Sequence, residues 1–170
     1  MSVKITLASK QDVSEIKVIS DLRLGINYLS SEILHSAIID FNQELYVAKQ
    51  GNTVRAFLLV KLNQASNAII KEPFDLIKAI AVHPEYSKQG IASLLISNFL
   101  LQFTHERALY TYIWKQPDNH LPKLLKKLNF NPIKEIPNHW KARSIQTGFI
   151  CPICGTPPCL CTMELWKLFA

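Results

Sequence analysis

Four cysteines crowd into eleven residues near the C-terminal end, in GFICPICGTPPCLCTMELW, as Cys151, Cys154, Cys159 and Cys161, and the chain has no others. The C-x-x-C-G half brings two sulfurs to one ion while Gly155 relieves the tight turn; Pro157 and Pro158 restrict the connection, and C-x-C supplies the second pair. Four thiolates at about 2.3 Å fill a tetrahedral Zn²⁺ shell and leave no open position, so the predicted chemistry is a structural staple rather than hydrolysis. Sulfur ligation does not by itself select zinc over iron, and a redox dithiol pair is the weaker alternative. A second stretch, AVHPEYSKQGIASLLISNFL at residues 81–100, sets a His83-Pro84 turn and a lone Gly90 just before an apolar helix. Amides exposed at such a helix start, near Ser87 to Ala92, converge on an anion such as a diphosphate, with Lys88 available to add charge. An isolated glycine at a helix boundary more often makes only a local turn, so this chemistry depends on the elements around it.

Those elements are legible from periodicity. Val3, Ile5 and Leu7 alternate with polar residues and predict a first strand. Asp12 and Glu15 form a capping-box-like start for a helix carrying Ile16 and Ile19, and Ile33, Ala37 and Phe41 predict a second helix over residues 31–41. Strands follow at 44–49 and 54–62, joined by Gly51 and Asn52 as hairpin residues, and at 75–82. In that third strand, Ile77, Ala79 and Ala81 take one side and Leu76, Ile80 and Val82 the other, as when both faces are buried. A helix over 90–105, an aromatic strand over 108–114 and a short helix over 118–128 come next. The short helix turns Leu121, Leu124, Leu125 and Leu128 inward, starts near Pro122 and ends at a left-handed Asn129. Strands at 145–150 and 163–169 close the chain, with the cysteines between them. This order predicts one domain over residues 1–170 of mixed α/β (α+β) class: a twisted sheet flanked by helices, whose cysteine loop, 151–161, staples the last hairpin.

Bulk properties narrow the choice of partner. A chain of 170 residues, 48% hydrophobic and 19% charged, suits one substantial core, and no tract is apolar and long enough to span a bilayer. The first residues, MSVKITLASKQDV, lack the apolar core of a secretory signal, so a cytoplasmic location is expected and no membrane partner. Residues 1–114 hold 11 basic and 10 acidic side chains, whereas 115–170 hold 8 and 3, so the last third carries nearly all of the +6 net charge. That bias favours an acidic substrate, a phosphorylated cofactor or nucleic acid, or is an ordinary solvated face. Trp140, Lys141 and Arg143 form a basic-aromatic group that suits an acceptor or an RNA surface, with packing plus solvation the leading account and nucleic acid the minor one. Neither G-x-G-x-x-G nor G-x-x-x-x-G-K-S/T occurs, which removes the usual mononucleotide folds. Sequence leaves the oligomeric state open.

The turn resembles the acetyl-coenzyme A site of the GNAT N-acetyltransferase superfamily, R/Q-x-x-G-x-G/A after a strand ending V-x-P. Val82, His83 and Pro84 match the strand end; Ser87, Lys88, Gln89, Gly90, Ile91 and Ala92 match the turn, with Ser87 in place of Arg or Gln. The resemblance implies that amides of Lys88, Gln89, Gly90, Ile91 and Ala92 hold the cofactor's diphosphate, and that Ile80, Ala81 and Val82 pair with its pantetheine arm beside a splayed strand junction. A segment similar to N-x-x-A-x-x-F-Y-x-K-x-G-F runs through Asp118, Leu121, Leu124, Leu125, Lys127, Asn129 and Phe130. There Asp118 replaces the asparagine that contacts the cofactor, and Leu125 replaces the tyrosine that often protonates the departing thiolate. Lys78 stands where the common glutamate base would be. The implied reaction is acetyl transfer from acetyl-coenzyme A to a primary amine; the competing reading is a non-catalytic acyl-coenzyme A-binding or interaction module. Candidate bases are Asp75, Glu72 and His83 and candidate donors Tyr110, Tyr112 and His120, with none singled out. Packing accounts first for Tyr110, Tyr112 and Trp114, which share a strand face, and turn or surface roles for His83 and His120.

Overall fold

The computed structural model describes residues 2–169. Its centre is a seven-stranded sheet in the order β1-β2-β3-β4-β5-β7-β6. The strands are β1 (Lys4–Leu7), β2 (Gln43–Gln50), β3 (Thr53–Gln64), β4 (Phe74–Val82), β5 (Ala108–Trp114), β6 (Phe130–Ile136) and β7 (Met163–Leu168). The helices are α1 (Val13–Arg23), α2 (Ser31–Ile39), α3 (Ile91–Gln102), α4 (Leu121–Lys127) and α5 (Lys141–Thr147). Only β4 and β5 pair parallel, because α3 must cross over between them; the other ladders are antiparallel. The mixed sheet flanked by helices is the fold class that the periodicities predict, and its mostly antiparallel pairing is what the family resemblance implies.

Two apolar layers sandwich the sheet. On one face Val13, Ile16 and Ile19 of α1 and Leu34 and Ala37 of α2 pack on Leu45, Phe57, Leu59 and Leu76; on the other Ile91, Leu95, Ile96 and Phe99 of α3 and Leu125 of α4 pack on Leu58, Val60 and Ile77. Each helix buries one stripe, and the sheet is covered on both sides, which is why β3 reads as an almost unbroken apolar run.

Four local expectations are corrected. Residues 145–150 are not a strand: α5 runs through Thr147, Ile145 is exposed, and Ile150 makes a single bridge to Ile26. The strand that forms the last hairpin with β7, on the side away from β5, is β6, unremarkable in sequence because it is an exposed edge interrupted by Pro132, with the register shifting between Pro132 and Lys134. The cysteine loop still lies in the long connection of this last hairpin. In β4, a register shift opposite Leu59 and Val60 leaves Lys78 outside the ladder to β3 and breaks strict alternation. Ala79 and Ala81 therefore join Leu76 on the α1/α2 face, and Ile77 joins Ile80 and Val82 on the other. Finally, the Asp12 carboxylate accepts the Ser9 amide at 2.8 Å and pairs with Lys49 at 2.6 Å, while Glu15 accepts the Val54 amide at 2.9 Å instead of capping α1.

Candidate active site

β4 and β5 are paired only from Phe74 with Ala108 to Ile77 with Thr111. At the last rung Thr111 Oγ1 donates to the Ile77 carbonyl at 3.1 Å. Beyond it β5 stays with β7 while β4 follows β3, so the two strands part at the Lys78 bulge. The part of β4 that follows has no partner on its β5 side. A cleft of about 770 Å³ opens there, within the size range of cofactor and substrate sites.

One end of the cleft is backbone. Ile80, Ala81 and Val82 line it along β4, and Ser87, Lys88, Gly90, Ile91 and Ala92 line it at the turn into α3; Gln89 is exposed and outside the lining. Lys88 and Gly90 have φ of 63° and 78°, left-handed values that fold the turn back on itself before Ile91 starts the helix. The first intrahelical bond in α3 runs from the Leu94 amide to the Gly90 carbonyl, so the preceding amides have no helical partner. Ser87 Oγ is buried without a hydrogen-bond partner. Asp118 and His120, on the approach to α4, and Leu121 and Leu124 within it also line the cleft. The amide density and the helix start make the backbone end suited to a polyanion.

The other end is built from side chains. Tyr28, from the loop between α1 and α2, lies with Lys78, Tyr112, Trp114 and Trp140 in the lining. Lys78 Nζ is 3.4 Å from Tyr28 Oη, and the Arg143 guanidinium sits 4.2 Å from the centre of the Tyr28 ring while donating to the Tyr28 carbonyl at 2.6 Å. Tyr28 and Trp114 ring centres are 5.1 Å apart, Trp114 and Trp140 4.7 Å, and His139 bridges Trp140 and Tyr112 at 5.0 and 5.4 Å. Burial resists ionisation of the Tyr28 phenol, but the Lys78 and Arg143 charges, with hydrogen bonds from Lys78 and Trp140, outweigh it and hold the phenol below the usual tyrosine range. Burial, followed by the same two cations, also pushes His139 and Lys61 down. Sequence patterning passes over Tyr28 and His139. Tyr28 meets Lys78 and Arg143 across 50 and 115 residues, so no local period marks it.

Of the six residues proposed for proton transfer, Tyr112 and His120 line the cleft. Burial raises the Tyr112 phenol, with a hydrogen bond to Asn67 opposing it. The other four sit elsewhere. Glu72 accepts from Tyr110 and from Lys167, the latter at 2.7 Å, and its carboxyl is held down by those two bonds. Asp75 is buried under the Asn63 amide at 2.8 Å. His83 Nδ1 accepts the Glu85 amide at 3.4 Å in the turn after β4. Trp140 is buried and packs against the Trp114 and His139 rings.

The four cysteine sulfurs lie within 4.8 Å of one another. Cys161 Sγ is 3.6 Å from that of Cys151 and 3.3 Å from that of Cys154; sulfurs bound to one tetrahedral zinc are separated by roughly 3.8 Å. The Ile153 and Cys154 amides donate to Cys151 Sγ, and the Leu160 amide to Cys154 Sγ, each at 3.4 Å, and such donors favour thiolate. Burial, with crowding by neighbouring sulfurs, pushes Cys159 up to about 11 and Cys161 higher still, while at Cys154 burial is outweighed by hydrogen bonds from the Leu160 amide and the other thiols, which lower it. The donor set and its amides fit a closed tetrahedral site. The loop also touches the cleft: Pro152 and Ile153 line it, and the Cys159 amide donates to the buried Ser144 Oγ of α5 at 2.8 Å.

Comparisons with known proteins agree with this geometry. No curated protein is similar enough in sequence to match the chain. Among solved structures, Arabidopsis thaliana NAA60 in complex with a bisubstrate analogue superposes with a TM-score of 0.77 at 15% identity, covering 99% of this chain and 98% of that one. The ribosomal-protein-S18-alanine N-acetyltransferase from Escherichia coli gives 0.73 at 15% identity over 98% and 93%, and Ard1 from Thermoplasma volcanium 0.73 at 14% over the whole of both. At such identities these likenesses speak for the fold. The family model described as the acetyltransferase (GNAT) family matches residues 19–130, which span β4, the Gly90 turn, α3 and α4. The chain therefore belongs to the acetyltransferase (GNAT) family.

Proposed function

We propose that this protein transfers acetyl from acetyl-coenzyme A to a primary amine. The observation that carries the reading is the parting of β4 from β5 beyond Ile77 and Thr111, which leaves one strand edge open along a cleft that ends on the Gly90 turn. Acetyl-coenzyme A is an extended polyanion with an amide-rich arm. The open edge at Ile80, Ala81 and Val82 suits the pantetheine amides, and the turn amides of Lys88, Gln89, Gly90, Ile91 and Ala92 suit the diphosphate. A solved neighbour, NAA60, is described in complex with acetyl-CoA.

In the reaction the neutral amine nitrogen bonds to the acetyl carbonyl carbon, the carbon–sulfur bond breaks, the amine loses one proton and the thiolate gains one. Holding the two reactants in one cleft supplies a large part of the rate. The family's common tyrosine is replaced by Leu125, which is fully buried, so proton delivery to sulfur rests with Tyr112, His120 or water. The experiment is a coenzyme A release assay over small amines and peptides, with Gly90→Leu as the variant. Release that depends on the unaltered turn supports the proposal; unchanged release by Gly90→Leu, or no binding of acetyl-coenzyme A at millimolar concentration, overturns it.

Cys151, Cys154, Cys159 and Cys161 would hold one Zn²⁺ as a structural ion whose closed shell keeps it out of the chemistry. Its support is the sulfur cluster and its amide donors. Protein purified without added metal should carry near one zinc per chain, and below about 0.2 per chain in a stable protein the site is not obligatory.

A further inference from the structure

The side-chain end of the cleft has an unusual charge balance. Arg23, Lys78 and Lys88 line the cleft, and among the described residues the single acidic one in the lining is Asp118. Among the described residues, Lys61, Lys78 and Arg143 make no ion pair with a carboxylate. Lys78 reaches Tyr28 Oη from the β4 bulge, and Arg143 is fixed on the same residue through its carbonyl and ring. Burial first, and then the Lys78 and Arg143 charges, also disfavour the charged forms of Lys61 and His139. Trp114, which lines this end and is 8% exposed, keeps an indole N–H without a partner. The cleft thus offers three cations and a donor against one carboxylate, Asp118, among the described residues.

Resting on the acetyl-transfer reading above, we infer that the acceptor is an amine that also carries an anionic group, a carboxylate or a phosphate, and that Lys78, backed by Arg143, receives that group. Lys78 is half-buried, with the Tyr28 hydroxyl as its polar contact and no carboxylate partner among the described residues, and an anion brought by the substrate supplies a charge-assisted partner at the moment of binding. The same positive potential disfavours an ammonium form of the acceptor, so a neutral nucleophile is present without the family's glutamate. A lysine-rich peptide, whose neighbours are cations, meets repulsion at this end.

The test uses the 170-residue chain saturated with coenzyme A, so that no turnover occurs, and follows quenching of tryptophan fluorescence, Trp114 and Trp140 being the two of its three tryptophans that line the cleft. The probes are amino acids of increasing length against their amides, phosphoethanolamine against ethanolamine, and a lysine-rich peptide. The carboxylate or phosphate member should bind about 10- to 100-fold more tightly than its neutral partner, the range of a charge-assisted hydrogen bond. The carboxylate and phosphate arms identify the anion. Lys78→Met should erase the preference and Lys78→Arg should keep most of it, whereas a merely structural lysine would change neither ratio. If coenzyme A binds but amides or the cationic peptide bind as tightly as the acids, the inference is wrong while acetyl transfer stands. If acetyl-coenzyme A itself fails to bind, the functional reading falls and this one with it. Should Lys78→Met fail to fold, the acid-to-amide ratio in the unaltered protein decides alone.

Discussion

The two ends of the cleft are made of different material. One is a contiguous piece of backbone, from Ile80 to Ala92, whose useful groups are amides fixed by a strand edge, a left-handed turn and a helix start. The other is a set of side chains, Tyr28, Lys78, Trp114, Trp140 and Arg143, delivered by separate segments and locked by ring contacts and the cysteine loop. Two glycines summarise the difference. A Cβ at Gly90 would meet nothing within 4 Å, so that glycine is open to whatever enters the cleft. At Gly25, with φ of +117°, a Cβ would collide with the Ile150 carbonyl and come within 3.2 Å of Pro152, so that glycine serves the protein's own packing. A backbone site tolerates changes of side chain around it, whereas a side-chain site depends on every segment that positions it.

Metal removal should break the comparison most severely. Chelation, or Cys154→Ser, is expected to cost about 4 kcal/mol or more, the class of loss that follows removal of a structural ion, or roughly 8–16 °C in Tm for a chain of this size. Pro152 and Ile153 line the cleft, and the loop is anchored on Ser144 of α5, the helix that carries Arg143, so acceptor affinity should fall while the fraction still folded binds acetyl-coenzyme A unchanged. Equal loss at both ends, read by calorimetry below the melting range, would dissolve the distinction.

Gly90→Leu attacks the opposite end. Left-handed backbone costs a leucine roughly 1–2 kcal/mol, and the new side chain projects into the open space where the diphosphate is expected. Acetyl-coenzyme A affinity should drop about 100-fold, near 2.7 kcal/mol, with the Trp114 and Trp140 fluorescence spectrum unmoved. Gly25→Ala is the mirror experiment. Pushing Ile150 and Pro152 away should cost roughly 1–3 kcal/mol of stability and raise the KM for the amine, leaving the affinity for acetyl-coenzyme A intact. A Gly25→Ala protein whose two affinities fall together would show that the ends are not independent.

The same contrast explains what the sequence disclosed. The Gly90 turn was legible because its parts are neighbours: strand, His83-Pro84, glycine and helix are written in order, and the residues that line the cleft there follow within about a dozen positions. The four cysteines were legible for the same reason. Tyr28 and His139 were not, since their roles come from contacts with Lys78, Trp140 and Tyr112 that the sheet brings together from far along the chain. Lys78 was visible only as a departure from a family pattern, and the bulge that aims it leaves no mark in the alternation of β4, where Ile77 and Ala79 look like one face but lie on two. β6 escaped notice because an edge strand needs little apolar content; its pattern is one buried residue followed by exposed ones.

The smallest effect supplies the baseline that the others need. Asp12 is remote from the cleft lining, its carboxylate is 5% exposed, and it pairs with Lys49 at 2.6 Å. Burial alone would raise its pKa, but the hydrogen bond from Lys49, those from Ser9 and the Lys49 charge together lower it below the ordinary 3.8. A carboxyl lowered on folding stabilises the protein fully above its unfolded pKa, and that stabilisation disappears as pH falls through the folded value. Asp12→Asn should therefore cost about 1–2 kcal/mol in urea unfolding at neutral pH, with the gap to the unaltered protein closing progressively below pH 3.8. Both affinities should stay where they were. If this remote loss of stability weakened acetyl-coenzyme A or acceptor binding by as much as Gly90→Leu or Gly25→Ala, then those variants would be reporting loosened packing in general, and neither end of the cleft could be assigned its own ligand from them.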